Sequence, residues 1–261
     1  MDLGLAGKRA IVTGASKGIG LAVAAALAAE GVHVVAGSRE TSPELKELVS
    51  SGQATAIQVD LASEAGPRQL VAEALTGGPI DILINNAGAV TPRIDGSGSV
   101  TDEQWAYSLN LMLMAPVRTV RALLPSMIEA GGGVIVSTAS VNASLPDPLV
   151  IDYSAAKAAL VNFSKALSKE VGPQGIRVNT VSPGPVATAL WLGDQGVAAT
   201  LSGKLGGKPS DYEGNAVRDS ATRRFTTPQE VADLIVFLSS NRSGNVTGVD
   251  YLIDGGLIQT I

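Results

Sequence analysis

Short apolar runs closed by small or polar residues alternate along the chain with longer stretches carrying apolar side chains at helical spacing. Residues 8–13 read as a buried strand, and residues 17–30 as an Ala/Leu-rich helix stopped at Gly31. Residues 32–37 read as a second strand. A strand, a helix and a strand within about thirty residues form a βαβ unit, whose crossover is right-handed and whose strands are parallel. The alternation continues with a helix over 43–51, a strand over 54–59, a helix starting near Ser63 and a strand over 80–84. A Gly/Ser/Pro-containing loop over 91–100 precedes a long helix that opens at Thr101-Asp102-Glu103 and is stopped by Gly131-Gly132-Gly133. Further strands are predicted over 134–138, 176–181 and 248–253, and helices from Tyr153 to about 171 and over 228–239. Residues 189–225 break the rhythm, mixing Leu190, Trp191, Leu192, Leu201, Leu205 and Tyr212 with Gly, Lys and Asp. A long loose segment of this kind is read as a substrate lid. The pattern predicts an α/β fold of Rossmann type: a doubly wound parallel sheet in a single domain over residues 1–261, with no internal repeat and no dividing linker.

Composition sharpens this. Charged residues make up 16% of the chain and apolar residues 45%, with 30 glycines, which suits a buried parallel sheet covered closely by helices. A net charge of −5 and no polybasic cluster give no reason to expect nucleic acid. The chain has no cysteine, which excludes disulfides, thiolate metal sites and a Cys nucleophile and is compatible with a reducing cytosol. No metal site is expected. The one histidine, His33, sits in Gly31-Val32-His33-Val34-Val35 as a strand residue, so a Ser-His-Asp triad is not expected. The opening Met1-Asp2-Leu3-Gly4-Leu5 has no signal-like pattern, and no uncharged apolar run approaches membrane-spanning length. A cytoplasmic protein acting on a small molecule is expected.

The first βα turn reads Thr13-Gly14-Ala15-Ser16-Lys17-Gly18-Ile19-Gly20. Gly14, Gly18 and Gly20 allow a tight turn, the approach of a phosphate to main-chain N–H groups, and close packing of helix on strand; an ordinary tight turn would use the same residues. A cofactor with a free ribose 2′-hydroxyl usually meets a carboxylate at the tip of the second strand, where this chain has Ser38 and Arg39. A donor and a fixed positive charge there, with Lys17 as a second cation, favour NADP(H) over NAD(H); a solvated surface arginine is the alternative. Asp60, followed by Leu61, sits where a carboxylate can accept from an adenine amino group, or else caps the following helix. Asn85-Asn86-Ala87-Gly88, after the fourth strand, suits a backbone that passes close to a ribose and ties neighbouring strands together; it also suits an ordinary turn.

Asn110 lies inside the long helix, a poor place for Asn by propensity, either as a surface residue or with its amide at work inside. The fifth strand delivers Ser140 just past its end. Tyr153 and Lys157 are four residues apart, so on a helix they share a face. A neighbouring ammonium favours phenolate and lowers a tyrosine pKa.

In this order and spacing the motifs closely resemble the short-chain dehydrogenase/reductase family, in particular its classical branch. The matching residues are the turn from Thr13 to Gly20, Asn85 to Gly88, Asn110, Ser140 thirteen residues before Tyr153, Lys157, Pro183-Gly184 with Thr188, and Asp254-Gly255-Gly256. Ala139 stands where relatives often have a first of two serines, so Ser140 takes the role. The resemblance implies about seven parallel strands. It implies Tyr153 as general acid in reduction, Ser140 as donor to the reacting oxygen, and Lys157 on the nicotinamide ribose. Asn110 would hold a water of a proton relay. Pro183, Gly184, Val186 and Thr188 would contact the nicotinamide end. Relatives commonly form tetramers, and the apolar tail 255–261 suits a homotetramer or homodimer interface. The expected activity is NADPH-dependent reduction of a ketone to a secondary alcohol, reversibly. A 3-oxoacyl thioester reductase is the second reading, although 189–225 is longer than in compact carrier-protein reductases, and a non-catalytic NADP-sensing protein the third. Substrate would lie between Ser140, the loop 142–151 and the lid. There, Leu145, Val150 and Trp191 line an apolar cleft or, for Trp191, pack a subunit contact.

Overall fold

The computed structural model describes residues 2–260; Met1 and Ile261 lie outside the described residues. Seven strands, β1 (Arg9–Thr13), β2 (His33–Ser38), β3 (Ala54–Gln58), β4 (Ile82–Asn85), β5 (Gly133–Thr138), β6 (Ile176–Pro183) and β7 (Asp250–Ile253), form one sheet in the order β3-β2-β1-β4-β5-β6-β7. Every pairing is parallel. In β1, Ile11 pairs Val35 on one side and Leu83 on the other. The chain leaves β1 toward β2 but later re-enters beside β1 with β4, so the crossovers diverge between these two strands. A crevice opens at their carboxyl ends, the usual place for a ligand in an open α/β sheet.

Helices cover both faces: α1 (Gly18–Ala29), α2 (Pro43–Ser50), α3 (Gly66–Leu75), α4 (Asp102–Leu109), α5 (Ala115–Glu129) and α6 (Ile151–Val171). After β6 come α7 (Ala189–Leu192), α8 (Val197–Leu205), α9 (Pro209–Arg218) and α10 (Pro228–Ser239). One core joins α1 and α10 to the sheet through Val23, Leu27, Val12, Ile84, Val231 and Ile235. The other joins α3, α5 and α6 to its opposite face through Leu70, Leu123, Met127, Leu167, Ile11 and Leu83. Burying both faces makes these strands near-continuous apolar runs.

Several elements differ from those the sequence predicts: the last strand starts at Asp250 rather than 248, the sixth runs on to Pro183, and α3 starts at Gly66 rather than near Ser63. The fourth strand begins at Ile82, not residue 80, and just before it the Asp81 carboxylate accepts from the Arg9 N–H at 2.8 Å. α6 opens at Ile151, two residues before Tyr153, since a 3-10 turn over Pro148–Val150 runs straight into it. The long helix widens into a π turn over Asn110–Met114, between α4 and α5. The loose segment 189–225 holds α7, α8 and α9, short helices without a sustained apolar stripe. By length and composition the helical run Asp102–Glu129 is apolar enough to cross a membrane, but it carries Arg118 and Arg121 and contributes Val120, Leu123 and Met127 to the second core.

Candidate active site

The tips of β1 and β4 are stitched together before any ligand is considered. The Thr13 hydroxyl donates to Ile84 O and accepts from the N–H groups of Asn86 and Ala87 at 2.9 and 3.1 Å, while the Asn86 amide donates to Thr13 O at 3.1 Å. Asn86 is thus the strand tie expected of it, and Thr13 is a partner the sequence reading did not single out. A Cβ on Gly14, which has φ +68°, would lie 2.9 Å from Ala87 Cα, so only glycine lets the two tips meet. Gly20 does not face the crevice. A Cβ there would lie 2.2 Å from Gly14 O, so its role is the close seating of α1 on the turn. Lys17, the residue before α1, makes no capping bond through its side chain, which leaves the first-turn N–H groups directed at the crevice.

The crevice is a cavity of about 770 Å³. Of the residues expected to hold a cofactor, all but Gly20 line it: Gly14 to Ile19 apart from buried Ala15, then Ser38, Arg39, Asp60, Leu61, Asn86, Ala87, Gly88, Tyr153, Lys157, Pro183, Gly184, Val186 and Thr188. Lys17 and Arg39 are exposed, and neither cation is paired with a carboxylate among the described residues. Ser38 is buried and its hydroxyl donates to Glu40 O at 2.7 Å, so its proton serves the strand tip rather than the cavity. Asp60 accepts from Ala62 N at 3.0 Å, whereas Ser63 accepts from Gly66 N at the start of α3, so the helix is served by Ser63 and Asp60 stays on the cavity wall. These features fit a dinucleotide: bare backbone at two strand tips, an uncapped twelve-residue helix end, and two cations unpaired among the described residues.

At the far end stand Ser140, Tyr153 and Lys157, all on the cavity wall. Ser140, just past β5, donates to Asn142 Oδ1 and accepts from Asn142 N, both at 3.2 Å. Lys157 Nζ lies 5.7 Å from the Tyr153 ring centroid and donates to Thr138 O at 2.6 Å. Burial lowers the Lys157 pKa to about 8. The tyrosine shifts opposite to the expectation. Burial pushes the Tyr153 phenol up, and only the Ser140 hydroxyl pulls it down. The reason is dehydration: a phenolate in this site has lost its water, and the lysine beside it has itself been weakened as a cation by the same burial.

Asn110 stands apart from these three. It does not line the cavity, its side-chain oxygen accepts from Arg118 Nη2 at 3.2 Å, and its carbonyl accepts from Ala115 N–H across the π turn. The low propensity noted in the sequence therefore marks a local widening of the helix, a feature frequent at functional sites. The rest of the cavity wall is formed by Val90, Pro92, Tyr107, Leu111, the loop 141–150 and, from the segment after β6, Leu190, Trp191, Val197, Leu201 and Ala216. Trp191 meets Phe225 edge-on at 5.9 Å, which ties the two ends of the 189–225 segment together.

A doubly wound sheet whose switch-point crevice holds a glycine turn at one end and a Ser, Tyr and Lys group at the other defines a nicotinamide-dependent oxidoreductase. The chain belongs to the short-chain dehydrogenase family: residues 8–194 match the family model for short chain dehydrogenase. Over the whole of both chains it is 36% identical to the L-sorbose reductase of Gluconobacter frateurii, solved with NADPH and L-sorbose, with a TM-score of 0.91. It is also 34% identical to the D-threitol dehydrogenase of Mycolicibacterium smegmatis, covering 98% of this chain and 94% of that one. The human dehydrogenase/reductase SDR family member 4 is 33% identical, with 97% and 88% covered. The protein is an oxidoreductase acting on CH–OH and C=O groups with a nicotinamide dinucleotide.

Proposed function

We propose that this enzyme reduces a ketone to a secondary alcohol with NADPH, reversibly, and that Tyr153 delivers the proton. The observation that carries the reading is one cavity whose far ends bear the two halves of the chemistry: Lys17 and Arg39 at one, Ser140, Tyr153 and Lys157 at the other. A bound reduced nicotinamide supplies the hydride. Ser140 donates a hydrogen bond to the carbonyl oxygen and polarises it. Tyr153 gives its proton to the oxygen as negative charge develops there, and takes a proton back in the oxidation direction. A phenol held protonated by burial is suited to donation, and the Ser140 hydroxyl is the group that favours phenolate once the proton has left. Lys157 also holds the nicotinamide ribose, whereas Asn110, engaged with Arg118 and off the cavity wall, is left out of the proton path.

Lys17 and Arg39 set the preference for NADP(H) by meeting a 2′-phosphate. The lid 189–225 closes a mostly apolar substrate half around a medium-sized ketone, with the Asn142 amide beside Ser140 as the polar contact. The sorbose reductase neighbour, which holds NADPH and a ketose, supports both the cofactor and the carbonyl substrate. We place the protein in the cytoplasm as a homotetramer or homodimer. Exposed Val249 and Leu252 beside and on edge strand β7 supply apolar contact area for such an assembly.

The test follows NADPH and NADH absorbance with ketones graded from apolar to polyhydroxylated, with an acyl thioester alongside. Turnover of a free ketone with NADPH preferred is expected. Turnover of the thioester alone, or equal use of both cofactors unchanged by Arg39→Ala, overturns the substrate or the cofactor assignment respectively.

A further inference from the structure

Next to the catalytic tyrosine lies a buried ion pair that no step above uses. Arg93, in the loop after β4, sends Nε to Asp152 Oδ1 at 3.2 Å and Nη2 to Asp152 Oδ2 at 2.6 Å; the side chains are 10% and 2% exposed. Ser108 of α4 donates to the same Oδ2 at 2.7 Å. Arg93 N also donates to Leu149 O at 2.6 Å, so backbone and side chain together clasp the entry to α6. Burial alone would raise the Asp152 carboxyl, but the hydrogen bonds from Arg93 and Ser108 and the arginine charge outweigh it and hold the carboxyl below its usual range.

The placement of this group is what gives it meaning. Each member is one residue from the cavity wall: Arg93 follows Pro92, Ser108 follows Tyr107, and Asp152 precedes Tyr153. Three segments that are distant in sequence and each contribute one wall are joined at a single carboxylate. An arginine fork on a carboxylate fixes direction as well as distance, whereas apolar packing of the same volume tolerates sliding. Asp152 is the second residue of α6, so its two arginine bonds set the azimuth of the helix turn that aims Tyr153.

We propose that Arg93 and Asp152 are positioning residues that hold the Tyr153 hydroxyl on the reacting oxygen. The proposal rests on the reading of Tyr153 as proton donor. Its test is Arg93→Ala made in the wild-type enzyme and in the Tyr153→Phe variant, with kcat for ketone reduction and Kd for NADPH measured in each. Misplacement by about 1 Å is enough for a fall in kcat of up to about a hundredfold. In the wild-type enzyme we expect a fall of that order, with Kd for NADPH within about twofold, and partial recovery of kcat when guanidinium ion is added. In Tyr153→Phe the same substitution should change little, because the group being aimed is gone. Should Arg93→Ala fail to fold, Ser108→Ala, which removes one hydroxyl and leaves the ion pair, is read by the same two constants with a smaller fall expected. A folded variant with wild-type kcat, or one whose losses in kcat are the same with and without the Tyr153 hydroxyl, overturns the proposal. Full activity in Tyr153→Phe itself would instead overturn the proton-donor reading.

Discussion

At the end of the cavity proposed for the nucleotide the walls are strand tips and backbone, and at the end proposed for the substrate they are side chains of the loop 141–150 and the segment after β6. The first end is made by Gly14, the Thr13 and Asn86 bonds and the open turn of α1, all carried on the most buried strands of the sheet. The second is made by the loop 141–150, by α7 to α9 and by a tryptophan fastened through one edge contact with Phe225. The same cavity therefore has one end fixed by main-chain geometry, where few residue types fit, and one end set by side chains that exchange at little cost to the fold. A family that shares a cofactor and varies its substrate would need this division.

Substitutions at the two ends should separate in size and in kind. The largest effect is expected at Gly20. A methyl group there meets Gly14 O at 2.2 Å, so Gly20→Ala should cost about 3 kcal/mol, the upper end for overpacking, and abolish NADPH binding; thermal unfolding and fluorescence titration read both. Next is Arg39→Ala, which removes the cation proposed to meet a 2′-phosphate. KM for NADPH should rise about tenfold to a hundredfold while KM for NADH changes little, as steady-state kinetics with both cofactors will show.

Lys157, proposed to contact the cofactor, gives a pH test. With its pKa lowered to about 8, Lys157 is charged below that pH and neutral above it. Kd for NADPH should be level below about pH 8 and then weaken by up to roughly tenfold per unit, and Lys157→Met should bind weakly with no such break. The stability sign is opposite. The folded pKa lies below the ordinary 10.5, so the unfolded chain binds more protons between about 8 and 10.5 and the fold gains stability as pH rises through that window. The smallest effect belongs to the substrate end. Trp191→Ala should raise KM for a good ketone about tenfold and leave Kd for NADPH nearly unchanged, because the ring lines the cavity away from the glycine turn.

The same division explains what could be read in the sequence. The strands, the glycine turn and the Tyr153–Lys157 pair are local: a period, a spacing or a run of glycines, each visible within a few residues. All but two of the expected site residues lie on the cavity. The two exceptions, Gly20 and Asn110, serve helix seating and a π turn, and glycine or asparagine in a helix signals those as readily as ligand contact. What escaped is non-local. Thr13 meets residues more than seventy positions away, and Arg93 meets Asp152 across fifty-nine. A lone arginine in a Gly/Ser/Pro loop and an aspartate just before the tyrosine were the only traces of that pair. The pKa of Tyr153 escaped for another reason: the sequence shows the neighbouring cation but not the loss of water, and burial is the larger influence.

The central claim, that the Tyr153 hydroxyl supplies the proton, is tested most directly by single-turnover reduction of a ketone by NADPH prebound to Tyr153→Phe. The account predicts NADPH affinity within about twofold of wild type and a rate of cofactor oxidation lower by about 10² to 10⁴. A rate near that of the wild-type enzyme, with the cofactor bound equally well, would contradict it.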